Sequence, residues 1–350
     1  MHVPDGFLDV PTSLATGAVA AGAVGLALQR AGAQLRTAGA PMAGLTAAFV
    51  FATQMVNFPV GPGTSGHLMG GALAAALVGP WAGLLAVAVV VVVQALLFAD
   101  GGLTALGTNV TLIAVVTVAV GWAVTRAVLA VLPPHPGSVV PAVAVGAFVS
   151  VPATALAFTG LYAVGGAVSI PIGTLAAAML GWHTLIGIGE AVITAAVVGA
   201  VVATRPDLVH AARHVRRQLV LVDAEGRQRT VTADTVPTAV EQRSGRGLLA
   251  TLLAVSLLVG GGLSLLASGN PDGLEYVGER LGFAGAAHDS AVAGSPLADY
   301  GVSGLGSLGA VLAGVLGVLI TLAVAAGVGR LVAARRRPPD RAEDVRRAGR

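Results

Sequence analysis

Residues 81–99 read WAGLLAVAVVVVVQALLFA, a run with no charged side chain and one amide, Gln94. At 1.5 Å per residue, a helix of about 20 such residues matches the hydrocarbon thickness of a bilayer. Because the run is apolar on every side, a surface helix of a water-soluble domain is excluded. Similar runs occur at 11–30, 41–58, 66–79, 103–131, 139–164, 172–203, 248–268 and 305–333, and Gly79-Pro80 marks a turn between the third and fourth. The 350 residues are 55% hydrophobic and 11% charged, with a mean hydropathy of +0.84, which places the whole chain in a membrane. The expected fold is therefore an all-α, polytopic helical membrane protein, a seven-helix bundle followed by two additional transmembrane helices.

Charge fixes the expected orientation. All basic residues are arginine. Threading nine crossings puts Arg30, Arg36, Arg126, the Arg-rich stretch 204–247 and the basic tail 334–350 on one side, with only Arg280 opposite. By the positive-inside rule that side is the cytoplasm, so the N-terminus, the loop at 57–67 and the segment Asn270 to Ser303 are expected outside. The arginines lie between apolar runs and form no solvated stripe, so no nucleic-acid partner is expected. The opening Met1-His2-Val3-Pro4-Asp5-Gly6 lacks the basic start of a signal peptide, and Met1 is expected to be the mature end. Glycine and alanine at Gly17, Ala21 and Gly25 have the spacing that lets helices approach closely, either within the bundle or against a partner membrane subunit.

The chain has no cysteine, so a metal must be held by nitrogen or oxygen. Met1-His2 offers the free amine, the His2 amide and the His2 imidazole. Bound to one ion, they close a five-membered and a six-membered ring that lie nearly coplanar. His67, after the turn Gly61-Pro62-Gly63-Thr64-Ser65-Gly66, falls on the same expected side and supplies a fourth nitrogen. Four nitrogens in a plane suit Ni(II) or Cu(II), with Co(II) possible, better than the tetrahedral preference of zinc or the oxygen preference of Mg(II) and Ca(II).

Within the seventh run, His183 and Glu190 are seven residues apart and share a helix face. Ionisable groups at that depth are costly and mark function or interhelical pairing. They are assigned, with Asn57 and Ser65, to supporting or structural roles around the ligands. His135 sits in a Pro-rich turn, His210 and His214 are four apart on an expected linker helix with a solvated face, and His288 beside Asp289 could gather metal or be ordinary loop.

The opening Met1-His2-Val3-Pro4-Asp5-Gly6-Phe7-Leu8 resembles that of the CbiM/NikM family. The stretches from Asn57 through His67-Leu68-Met69-Gly70-Gly71 to Gly79-Pro80-Trp81-Ala82-Gly83, from Asp100 to Asn109, and from His183 to Glu190 are also similar to it. The resemblance covers roughly residues 1–203, with Val3 in place of the commoner isoleucine. It implies the substrate-binding (S) component of an energy-coupling-factor (ECF) transporter, with Met1, His2 and His67 as ligands of Ni(II) or Co(II). It also implies a transmembrane coupling (T) subunit and a pair of cytoplasmic ATPases as partners, in the cell membrane. Residues 248–333, with Asn270-Pro271-Asp272-Gly273-Leu274-Glu275, resemble a two-span PDGLE component of CbiN/NikN type. That resemblance implies help in metal loading, with Asp272 and Glu275 as transient outer ligands.

The chain itself is expected to be no enzyme. Without lysine it holds no phosphate-binding Gly-x-x-x-x-Gly-Lys motif. The metal is cargo, and no permanent cofactor is implied. An intramembrane serine protease built on Ser65 and His183 would leave the opening motif and His67 without a purpose. A passive metal channel would need a polar path that these uniformly apolar spans do not provide.

Overall fold

The computed structural model describes residues 1–215, 218–222, 228–232 and 246–334. Parts of the linker expected in the cytoplasm, including Arg216, Arg217, Arg227 and Arg243, and the tail from Arg335 lie outside the described residues. The principal helices are α1 (Val10–Arg30), α2 (Gly32–Ala38), α3 (Ala40–Gln54), α4 (Gly71–Val78), α5 (Pro80–Leu97), α6 (Leu106–Val131), α7 (Val139–Gly165), α8 (Ile172–Thr204), α9 (Arg246–Gly261), α10 (Gly273–Leu281) and α11 (Gly306–Ala334). The hairpin β1 (Phe58–Gly61) and β2 (Thr64–Gly66) follows α3, and β3 (Gln218–Val222) pairs with β4 (Gln228–Thr232) in the linker. Among the described residues, seven helices are long and apolar enough to cross a membrane. The pair α2 and α3, bent by 92°, makes an eighth if counted together.

Three expected helices differ from the sequence reading. The run 41–58 stops being helical at Gln54, because Phe58 to Gly66 turns back as the hairpin. The run 66–79 contains only the eight-residue α4, about 12 Å long, too short to cross alone. Residues 67–70 are not helical, and Gly70 at φ +80° ends them in a conformation that suits glycine. Apolar composition could not reveal this break, since an unwound segment buried in protein is as apolar as a helix. The run 103–131 becomes helical only at Leu106 and contains a π-helical stretch, Val110–Val116. In the linker, His210–Val215 is a 3-10 helix and not an α-helix. Its three-residue turn places His210 over Arg213, whose guanidinium lies 3.5 Å from His210 Nδ1.

The loops gather at the two ends of the bundle. At one end, Asp9 N donates to Gly165 O, Gly102 N to Val3 O, Ser268 N to Asn57 O and His288 N to Asp5 O, at 2.7–2.9 Å. At the other, the Arg30 guanidinium lies 5.2 Å from the Trp81 ring centre and Ala82 N donates to Gln34 Oε1 at 2.9 Å. The segments expected on opposite faces of the membrane thus collect at opposite ends, and residues 67–78 join them.

Helix α3 is buried on almost every face, packed by α5, α9 and α11. The C-terminal helices reach it through glycine. A Cβ on Gly317 would overlap the ring of Phe51 and come within 2.9 Å of Phe98 Cζ. The backbone of Gly17 on α1 lies against Gly107, where a Cβ would come within 2.4 Å of Gly17 Cα, while a Cβ on Gly17, Gly22 or Gly25 would itself meet nothing within 4 Å. The close approach made by α1 here is at the Gly17 backbone. Replacing Gly317→Val should overpack this junction and cost about 1–3 kcal/mol. Gly22→Val serves as a near-neutral control. Thermal unfolding in detergent compares the two.

Candidate metal centre

The first nine residues form a non-helical segment, turned at Gly6 (φ +90°), laid across one end of the bundle. Its backbone is held from several sides. Asn109 reads Val3 twice, accepting from Val3 N at 2.7 Å and donating to Val3 O at 3.0 Å. Asp5 accepts from Leu103 N at 3.1 Å, from Thr104 N at 2.7 Å and from the Thr104 hydroxyl. Ala167 N donates to Phe7 O at 3.1 Å. The Gly101-Gly102 turn makes the approach possible, since a Cβ on Gly102 would overlap the backbone and carboxylate of Asp5.

This threading buries Met1 and His2 beside His67. The Met1 amine contacts His67 Nε2 and lies 2.8 Å from Asp272 Oδ2, and the Met1 residue is buried. The rings of His2 and His67 are 5.0 Å apart and inclined by 17°. Two imidazoles on adjacent corners of one ion, with metal–nitrogen bonds of about 2.0 Å, have ring centres roughly 4–5 Å apart. His67 Nδ1 lies 3.0 Å from Leu68 O, a contact that leaves Nε2 as the lone-pair nitrogen toward the amine. His2 Nδ1 lies 3.1 Å from Asp100 Oδ1, and its Nε2 is buried without a hydrogen-bond partner. Burial pushes the His2 imidazole down to about 4, against the opposing pull of Asp100, so the ring is neutral at pH 7. The nitrogen that would close a six-membered chelate ring with the His2 amide is Nδ1, the one that faces Asp100.

The positions expected to support the ligands are distributed around them. Glu190 accepts from Met69 N at 2.6 Å and Gly70 N at 2.8 Å, bracing the non-helical segment that carries His67. His183 Nδ1 lies 2.8 Å from Met179 O, and its ring faces Gly273, where a Cβ would come within 3.2 Å. The Ser65 hydroxyl donates to Asn270 O at 2.8 Å, while Ser65 N donates to Pro271 O at 2.9 Å. These bonds dock the 270–273 turn onto the hairpin and leave Ser65 unpaired with His183. Asn57 lines the cavity above the site and its carbonyl accepts from Ser268 N.

That docking brings Asp272 to the Met1 amine. Its Oδ1 caps α10, accepting from Leu274 N at 2.7 Å and Glu275 N at 3.0 Å. Its Oδ2 faces the amine and stands 3.7 Å from His67 Nε2. Burial would raise the Asp272 carboxyl, yet the Met1 amine beside it holds it well below the usual range. Glu275 instead completes the capping box through Asp272 N at 2.9 Å, and the charge of Asp272 raises its carboxyl. His288 and Asp289 line the mouth of a cavity of about 430 Å³ over the site, together with Asp100 and Tyr300. Among the described residues, no three His, Asp or Glu side chains converge to hold a metal by themselves. Met1 and His2 bring main-chain nitrogen to the same place as His67.

Sequence reasoning gave no role to Asp5, Asp100, Asn109 or Tyr300. For Asp100 the signal was the stretch Asp100-Gly101-Gly102-Leu103-Thr104, which interrupts an apolar chain.

Residues 2–208 match the model of the CbiM family, described as the cobalt uptake substrate-specific transmembrane region. The chain belongs to the CbiM family. Residues 246–334 match the PDGLE domain, making this a CbiM region fused to a PDGLE domain. A protein of Archaeoglobus fulgidus provisionally named fused nickel transport protein NikMN is 32% identical over 93% of this chain and 96% of its own length. A fused nickel transport protein NikMN of Rhodobacter capsulatus is 39% identical over 33% of each chain. The crystal structure of a truncated transition metal transporter aligns with a TM-score of 0.52 at 30% identity, covering 58% of this chain and 99% of that one. The CbiM family and these relatives are membrane transport proteins and not enzymes, which removes the protease reading.

If Val3 must be held for the amine and His2 to meet His67, Asn109→Ala should weaken Ni(II) binding about 10–100-fold by isothermal titration. Apparent affinity should also fall as pH falls, because protons compete for the amine, amide and imidazole nitrogens. Titrations in buffers of different ionisation enthalpy count the protons released.

Proposed function

We propose that this protein is the substrate-specific subunit of an ECF-type ABC transporter that binds Ni(II) or Co(II) with high affinity and imports it across the cell membrane. The observation that carries this reading is the burial of the Met1 amine and His2 beside His67. Amine, amide and two imidazoles form a nitrogen set whose planar chelate favours Ni(II). The names of the fused NikMN relatives support the same class of cargo.

In this reading residues 1–203 are the metal-binding domain and 204–247 the cytoplasmic linker. Residues 248–333 are the two-helix PDGLE domain, and 334–350 the cytoplasmic tail. The N-terminus and the cavity over the site face outward, which the gathering of Arg30 at the opposite end supports. Energy comes from a T subunit and a pair of cytoplasmic ATPases. The PDGLE domain assists loading, a role supported by Asp272 reaching the amine.

The test is metal binding by the detergent-solubilised chain with an authentic Met1 end, checked by intact mass. One Ni(II) or Co(II) per chain with a planar ligand-field spectrum is expected. Both His2→Ala and a version extended by a few residues before Met1 should lose it. Equal binding by the extended form would remove the amine from the ligand set. In cells, uptake should vanish without the ATPase partners. Uptake that persists without them would mean a passive channel.

A further inference from the structure

The two long helices of the PDGLE domain touch at one end and part at the other. Beside Met55, α9 and α11 meet backbone to backbone: a Cβ on Gly314 would overlap Gly260 O, and one on Gly261 would come within 2.9 Å of Val315 Cγ2. From there α11 stays on α3, since a Cβ on Gly44 would lie 2.9 Å from Ala326 Cβ and one on Gly329 3.4 Å from Ala40 Cβ. Helix α9 does not follow it. Toward Arg246 the pair opens into a groove of about 490 Å³, with Leu249 and Leu253 of α9 on one wall, Leu322 and Ala326 of α11 on the other, Leu45 of α3 between them and Arg330 at the end.

Arg330 is the only charged residue of α11, and its side chain is exposed. A guanidinium keeps its charge, and at the edge of a bilayer it calls for an anion. It lies about 36 Å along the helix from Gly306 at 1.5 Å per residue, past the roughly 30 Å of hydrocarbon and so at the level of the headgroup phosphates. Among the described residues, no carboxylate pairs with it. The walls of the groove are apolar, so water would find no polar partners between them and a hydrocarbon chain is the better filling. One molecule meets both demands: an acyl chain joined to a phosphate. The flanking sequence draws the same charge, because α9 begins at Arg246 and α11 runs on in sequence to Arg335-Arg336-Arg337, a density of arginine that attracts anionic lipid. An apolar helix of another protein would fill the walls and bring no anion to Arg330.

We propose that this groove binds one anionic phospholipid, its acyl chain between α9 and α11 and its phosphate on Arg330. The site lies apart from the metal centre and is independent of which ion that centre carries.

The test uses the full chain, delipidated in detergent, with phosphatidylglycerol as the probe and native mass spectrometry and thermal unfolding as readouts. Phosphatidylcholine with the same acyl chains and inorganic phosphate are the comparisons. One phosphatidylglycerol should be retained per chain and raise the melting temperature, and neither comparison should do so. Arg330→Gln should bind it about fivefold more weakly, the factor for one arginine near an anionic surface. Arg126→Gln, on α6 and outside the groove, should bind like the parent. Ala250→Trp, which fills the groove and leaves Arg330 in place, should lose the lipid; if that variant does not fold, Ala323→Phe on the opposite wall is read instead. Equal retention of phosphatidylcholine, parental affinity in Arg330→Gln, or an equal loss in Arg126→Gln would overturn the proposal, because lipid would then coat the helices without a defined site. Stabilisation by inorganic phosphate alone would assign Arg330 to a free anion, and a second copy of the chain retained in place of lipid would assign the groove to a protein helix. Either result overturns it as well.

Discussion

Burying the amino group of Met1 is the constraint on which the rest of this structure depends. A charged amine removed from water is costly unless it is paired and hydrogen-bonded. Here it meets the imidazole of His67 and the carboxylate of Asp272. Neither partner is near it in sequence. His67 comes on a non-helical segment braced by Glu190 from α8, and Asp272 comes on the capped start of α10. To bring them to one point, the chain must hold its first nine residues out of any helix, unwind residues 67–70 and dock the 270–273 turn onto the hairpin.

Each requirement is met by a specific local device. Glycine at 70 and 102 supplies a positive φ in one case and a close backbone approach in the other. Glycine at 273 lets the turn lie on His183 and Ile186. Asp272 divides its two oxygens, one capping the helix and one facing the amine, so the fold of the PDGLE domain and the charge balance of the site rest on the same side chain. The CbiM and PDGLE regions thus share one polar centre instead of merely abutting in the membrane.

The helices around this centre are less specific. Their outer faces carry large apolar side chains such as Leu14, Val164 and Val192, as expected where the neighbours are lipid tails. Their inner contacts depend on small residues, as where Gly17 meets Gly107 and Gly317 meets Phe51. Lipid and helix interior are equally apolar, so hydropathy marks where a crossing lies and says little about what it touches.

That distinction separates what could be read from what could not. The order of apolar runs, the absence of cysteine and lysine, and the nitrogens of Met1, His2 and His67 were legible in the sequence. Each depends on residue identity or on local chelate geometry. The break at residues 67–70, the central burial of α3, and the convergence of Asp272, Asp100 and Tyr300 around Met1 and His2 were not. Asp100 and Tyr300 are separated by 200 positions, and no local pattern encodes their contact. It exists because α11 packs on α3 and carries the preceding loop to the end of α5, a placement decided by close packing over the whole bundle.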